Sequence, residues 1–315
     1  MASLLIIGGS GFFGKSILDS FKRQLLKPWD INKITIISRN ANDFKHNYPE
    51  LISDDVECIE GDIASLEYLP EADLVIHAAA SSDASQYLTQ NEKEKKNIIA
   101  GTLNYCRLAL KFHKNSQIVY CSSGAVYGFQ PNNVKFLTED AVFGDILKLD
   151  DVKKSYAYAK RDCELAIQEL GKNNINVVIA RCFSFVGKYL PRDQHFAIGN
   201  FIADGMNAQD IDVKADKLVY RSYMYADDLV DWLLTLVSNA KPTCPIYNVA
   251  SDREVEIRDL ANIISKIFGV GVRSLKLNNN SINDRYIPSI TKAKNELGLS
   301  NKNDLEDSIL MSINR

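Results

Sequence analysis

The chain has 315 residues, a formal charge of −3, 46% apolar positions and 24% charged ones. That is the balance of an ordinary soluble globular protein with room for a substantial core. It makes no electrostatic case for nucleic acid or an acidic membrane as partner. Six cysteines (Cys58, Cys106, Cys121, Cys163, Cys182 and Cys244) are scattered with no CxxC and no Cys/His cluster. They read as free thiols in a reducing cytosol and offer no metal site. No run approaches the roughly 20 apolar residues that span a bilayer, so a cytoplasmic protein is expected.

The opening "MASLLIIGGSGFFG" has no basic leader, and glycines break its apolar run after five residues, so it reads as a buried strand rather than a signal peptide. "KITIIS", "ADLVIHAAA", "QIVYCSS" and "NVVIARCF" follow as further buried strands. Helical patterns fall at 14–25, about 85–113 and 155–173. The expected fold class is therefore α/β, with parallel βαβ units in a doubly wound (Rossmann) sheet over residues 1–180. "NEKEKKN" (91–97) reads as the solvated start of a helix. After about residue 181 the alternation weakens. "GKYLPRDQHFAIGNF" reads as loop, a helix falls near 256–268, and "NNNSIND" (278–284) is a polar loop. Residues 181–315 are expected to form mainly a smaller substrate-binding lobe, with about 211–238 returning to the sheet.

Gly8, Gly11 and Gly14 form GxxGxxG in "GGSGFFG", between the first strand and a helix that opens with Phe12 and Phe13. Glycine permits the tight turn and the close approach of a pyrophosphate, and the helix N-terminus adds its positive dipole end. The next strand ends in "IISRN", placing Ser38 and Arg39 where an NAD-preferring fold usually carries a carboxylate for the ribose. A guanidinium pairs with a 2′-phosphate, which favours NADP(H) over NAD(H); Arg39 stacked on adenine or left in solvent is the plainer alternative. Asp62, followed by Ile63 in "EGDI", suits the adenine amino group or simply a turn.

Tyr156 and Lys160 in "YAYAK" share one helix face. A phenol ordinarily titrates near pH 10. An ammonium at about 4 Å, at an effective dielectric near 20, favours the phenolate by about 4 kcal/mol. The pair then serves as an acid–base group, and Lys160 can also hold the nicotinamide ribose. "CSSGAVYG" sets Ser122 and Ser123 at a strand C-terminus, where ligand sites of α/β sheets lie. A serine there hydrogen-bonds a substrate oxygen as hydride arrives at or leaves its carbon.

Taken in order, "GGSGFFG", "GDI", "VIHAAA", "SSGAVYG" and "YAYAK" resemble the extended short-chain dehydrogenase/reductase family of nucleotide-sugar epimerases, 4,6-dehydratases and ketoreductases, over nearly the whole chain. The resemblance implies that Ser123, five residues before the glycine of "VYG", is the catalytic serine. It implies that "HAAA" (77–80), with Ala78 and Ala79, passes near the cofactor. Arg221 would meet the sugar-nucleotide phosphates with Arg285 as a second phosphate-binding arginine, and Asn200 and Phe201 would line the nucleotide pocket. Lys188, Arg192 and His195 belong either to that pocket or to a solvated loop. A homodimer through the helices near 97–113 and 156–173 is implied as well. Two departures narrow the activity. Gly124 and Ala125 stand where the 4,6-dehydratases carry Asp-Glu, which argues against water elimination, and Ile98 stands where many relatives carry an asparagine. The expected function is NADPH-dependent reduction of a nucleotide-linked 4-keto-6-deoxyhexose in deoxysugar synthesis. A NAD-dependent 4-epimerase is the alternative. A cofactor sensor without turnover fits less well, because Ser123, Tyr156 and Lys160 are all retained.

Overall fold

The computed structural model describes residues 1–79, 84–194, 196–278 and 281–313, without the side chains of 84–91 and 152. Strand β1 (Ala2–Ile7) turns into α1 (Phe12–Lys22), followed by β2 (Ile31–Ser38), α2 (Ala41–Asn47), β3 (Val56–Glu60) and β4 (Leu74–His77). Next come α3 (Ala84–Phe112), β5 (Gln117–Ser123), α4 (Asp151–Lys172) and β6 (Asn176–Cys182). The later chain contains β7 (Phe185–Val186), α5 (Ala197–Met206), β8 (Ile211–Val213), β9 (Val219–Ser222), β10 (Met224–Tyr225) and α6 (Ala226–Ser238). It closes with β11 (Ile246–Val249), β12 (Glu254–Glu256), α7 (Ile257–Phe268), β13 (Val272–Ser274), β14 (Asp284–Arg285), α8 (Thr291–Leu297) and α9 (Leu305–Ile313).

The main sheet has seven strands in the order β11-β6-β5-β4-β1-β2-β3, and every pairing in it is parallel. Its winding reverses between β1 and β4, the switch point where such sheets open a crevice beyond their strand ends. Register aligns that rim. Ile7 pairs with both Ile37 and His77, and His77 pairs with Tyr120. The residues just after this row therefore share one edge: Gly8, Ser38, Ala78, and Cys121 to Ser123.

Both faces of the sheet are covered, which explains the unbroken apolar runs. Leu4 and Ile6 of β1 pack with Leu18, Trp232 and Leu233 on one side. Leu5 and Ile7 pack with Tyr105, Leu108 and Ile167 on the other. At about 1.5–3 kcal/mol per fully buried Leu or Ile, these two layers dominate the stabilisation. A third core, with Phe201, Ile202, Ile211, Leu260 and Ile264, joins α5, β8 and α7.

Several boundaries differ from the sequence reading. Helix α1 starts at Phe12, directly after its Gly11 N-cap, and stops at Lys22 because Gln24 turns left-handed at φ 61°. Residues 197–201, the end of the segment read as loop, open helix α5, whose Ile198, Phe201 and Ile202 stripe fills the third core. The charge run 91–97 lies within α3 and is not wholly solvated, since Glu94 is buried and accepts from the Asn97 amide. The chain returns to the main sheet with α6 and β11, whereas β8 pairs with β13 in a small sheet of its own. Among the described residues no helix is long and apolar enough to cross a membrane, and no cluster of metal-ligating side chains occurs.

Candidate active site

The β1–α1 turn follows from its glycines. Gly8 sits at φ +89°, and a Cβ there would lie 2.8 Å from the Ala79 backbone. Gly14 lets α1 close on the turn, since a Cβ would fall 2.0 Å from the Gly9 carbonyl oxygen. Gly11 differs: its φ is −80°, and the only atom near its missing Cβ is the Gly8 carbonyl oxygen at 3.3 Å. With no side chain capping α1, its first N–H groups face that open space. Open backbone at a helix N-terminus is what a dinucleotide pyrophosphate requires, so the turn fits such a cofactor. The half-buried Phe12 and Phe13 rings pack around Phe185, at 6.3 and 5.2 Å between centroids.

Ser38 is tied into the turn, its Oγ 2.5 Å from Ser10 Oγ, while Arg39 is exposed with no ion-pair partner among the described residues. Glu60, in register with Ser38, accepts from the Asn42 N–H. Asp62 forms the turn that its sequence allowed, its Oδ1 accepting from Ala64 N, and its side chain is exposed at the rim. Ile63 is buried in the core. Ala78 and Ala79 lie against Gly8. Ala80 and His195 fall outside the described residues.

Strand alternation separates the two serines. Ser122 Oγ donates to Glu164 at 2.6 Å, on the side where Glu164 pairs with Arg181. Ser123 Oγ turns to the crevice, accepts from Ala125 N and lies 3.5 Å from the Tyr286 hydroxyl. Tyr156, Lys160 and Glu164 repeat every four residues along α4, which lays them on one face. The Lys160 ammonium is buried, bonded to the Cys121 carbonyl at 2.9 Å, and 5.8 Å from the centroid of the Tyr156 ring. Beside it His77 packs between Tyr105 and Tyr120, and neither of its ring nitrogens has a partner among the described residues. Burial, reinforced by the Lys160 charge, pushes the imidazole down to about 3, so it is neutral.

Tyr286 is a site residue that sequence reasoning passed over. Its ring stacks on Phe183 at 4.5 Å, and a Cβ at Gly124 would lie 2.6 Å from both the Tyr286 hydroxyl and the Phe183 ring. The two aromatics thus occupy the place of a side chain at 124. Burial raises the Tyr286 phenol above its ordinary value, so it stays protonated. The neighbouring arginines diverge. Arg285 pairs in register with Tyr220, stacks on that ring at 4.8 Å and binds Glu254. Arg221, one residue along β9, faces the other way, binds Asp284 at 3.0 Å and lies 6.0 Å from the Tyr286 ring. Strand alternation therefore sets the two candidate phosphate-binding arginines on opposite faces of this small sheet. Burial pushes the Asp284 carboxyl up, but Arg221 outweighs it and holds the group below its usual range.

Phe201 is buried in the third core. Asn200 Oδ1 next to it, Gln194 Oε1 and Arg192 Nη1 are buried without a partner among the described residues. Such orphans suit a polar ligand. Gln194 had no sequence signal beyond its place in the segment. Lys188 lies over the Tyr189 ring instead.

A family model described as "NAD dependent epimerase/dehydratase family" matches residues 4–250. The chain is 26% identical over 310 residues to UDP-glucuronic acid decarboxylase 5 of Arabidopsis thaliana, covering 97% of this chain and 86% of that protein. Among solved structures it is similar to DesIV, a dTDP-glucose 4,6-dehydratase of Streptomyces venezuelae solved with NAD bound, at a TM-score of 0.81 and 18% identity, covering 98% and 94% of the two chains. It is similar to the UDP-N-acetylglucosamine 4-epimerase of Methanobrevibacter ruminantium at a TM-score of 0.81 and 21% identity, covering 99% and 96%.

Proposed function

The chain belongs to the NAD dependent epimerase/dehydratase family, and we propose that it exchanges hydride between a nicotinamide dinucleotide and a hexose carbon of a nucleotide sugar. The specific reading is NADPH-dependent reduction of a nucleotide-linked 4-keto-6-deoxyhexose. One observation carries it: a buried ammonium beside the Tyr156 ring, bonded to the strand that ends in Ser123, at the rim where the glycine turn opens.

When bound, the dinucleotide supplies the hydride. Tyr156 then gives its proton to the carbonyl oxygen, which turns the keto group into a secondary alcohol. Lys160 stabilises the phenolate that is left. Ser123 donates to the same oxygen as charge develops on it. Arg221, exchanging Asp284 for a diphosphate oxygen, and Asn200 with Arg192 hold the nucleotide end. Gly124 and Ala125 provide no group to remove water, which argues against dehydration.

Exposed Arg39 and the missing carboxylate at Ser38 support a 2′-phosphate. NAD is the alternative, since DesIV was solved with it. The likeness to a 4-epimerase along nearly the whole chain supports the second reading, a 4-epimerase using the same tyrosine. We place the enzyme in the cytoplasm, as six unpaired cysteines suit a reducing compartment. We also assign it a homodimer, because Leu103 and Leu110 of α3 and Tyr158 and Leu165 of α4 are exposed.

Following NADPH absorbance with dTDP-4-keto-6-deoxyglucose tests the reading. The expected result is one NADPH oxidised per sugar reduced. Interconversion of C4 epimers of a UDP- or dTDP-hexose without loss of cofactor favours the epimerase.

A further inference from the structure

Lys160 is 2% exposed. A group so buried needs acceptors for its N–H bonds. Among the described residues it makes no ion pair. Beyond the Cys121 carbonyl, the Tyr120 hydroxyl stands 3.4 Å from Nζ, and the centroid of the Tyr120 ring lies 4.9 Å away. Tyr120 is itself fully buried on β5. An ammonium only donates, so the Tyr120 oxygen accepts from Lys160 and sends its own proton elsewhere. Thr102 Oγ1 on α3, also buried, lies 3.5 Å from it, and Cys163 on α4 is its other hydrogen-bonding neighbour, so that proton has two places to go. Direction is thereby assigned at the first step of the row: Lys160 donates to Tyr120.

We propose that Tyr120 is a positioning residue, whose hydroxyl, backed by Thr102, fixes the Lys160 ammonium so that a remaining N–H serves Tyr156 and the bound dinucleotide. This rests on the hydride-transfer reading above. The other groups facing Lys160 are His77 from β4, the Cys121 carbonyl from β5, Cys182 from β6, and Tyr156 and Cys163 from its own helix. His77 is neutral, and burial pushes the Cys182 thiol up, so neither supplies opposite charge. Burial likewise raises the Tyr120 phenol, which remains a hydroxyl across the working range.

Tyr120→Phe keeps the ring and deletes the hydroxyl; Thr102→Val deletes the next hydrogen-bonding group. The Tyr156 phenolate is followed by ultraviolet difference titration of each protein against its own Tyr156→Phe counterpart, with no turnover required. In Tyr120→Phe the midpoint should rise by about one pH unit and kcat at neutral pH should fall about tenfold, with the KM for nucleotide sugar within about twofold. Thr102→Val should move both in the same direction by less, and it carries the test if Tyr120→Phe does not fold. A folded Tyr120→Phe with unchanged midpoint and kcat overturns the proposal. So does a loss of thermal stability with a higher KM and no change of midpoint. Full turnover in Tyr156→Phe overturns the underlying reading instead, whereas a dead Tyr156→Phe beside a wild-type-like Tyr120→Phe overturns this inference alone.

Discussion

Alanine at Gly11 should separate folding from the proposed cofactor binding. The backbone there is one any residue adopts, and the only close neighbour of an added Cβ is one carbonyl oxygen at 3.3 Å. Gly11→Ala should melt within a few degrees of the native protein yet bind NADPH at least about tenfold more weakly by fluorescence titration. Gly14→Ala should lose stability outright, because its Cβ meets the Gly9 backbone. His77 makes a pH prediction. Its folded pKa, about 3, lies below the ordinary value near 6.5, so the unfolded chain binds the extra proton first. The stability it contributes is therefore whole above pH about 6.5. It drains away as pH falls toward 3, with a slope approaching about 1.4 kcal/mol per pH unit. His77→Phe should flatten the acid limb of the melting temperature against pH. An unchanged limb would remove His77 from this role.

Helix α4 carries the proposed acid–base pair and is tied to β6 by a buried charge pair. Glu164 and Arg181 side chains are 5% and 4% exposed and meet at 2.8 Å, with Ser122 adding a bond to the same carboxylate. Removing one partner strands the other in the core, so Glu164→Ala should cost about 3–5 kcal/mol in urea denaturation. The elements holding these residues were legible from sequence because their signals are local: unbroken Val/Ile runs for strands, and a four-residue step for Tyr156 and Lys160. The opposed faces of Arg221 and Arg285 were not legible, since they follow from a two-residue strand whose register only pairing with β9 sets. Tyr286 was hidden for a related reason. It reaches Ser123 from 163 residues away in sequence. Helix α5 was obscured by the proline and charged residues before it, although the 198, 201, 202 stripe had helical spacing.

Exposed apolar side chains of α3 and α4 bear on how complete chains assemble. Sedimentation should report a dimer, and Leu103→Glu with Leu165→Glu should shift it to monomer by placing charge where two copies would meet. A native monomer at micromolar concentration would sink the proposed contact. Within each copy, the proposed mechanism makes turnover depend on one phenol at the rim. The decisive quantity is kcat of Tyr156→Phe, on protein shown by fluorescence to retain NADPH binding. The expected result is a loss of about 10²–10⁴-fold in rate with cofactor affinity preserved. Turnover within about twofold of the native enzyme would contradict it.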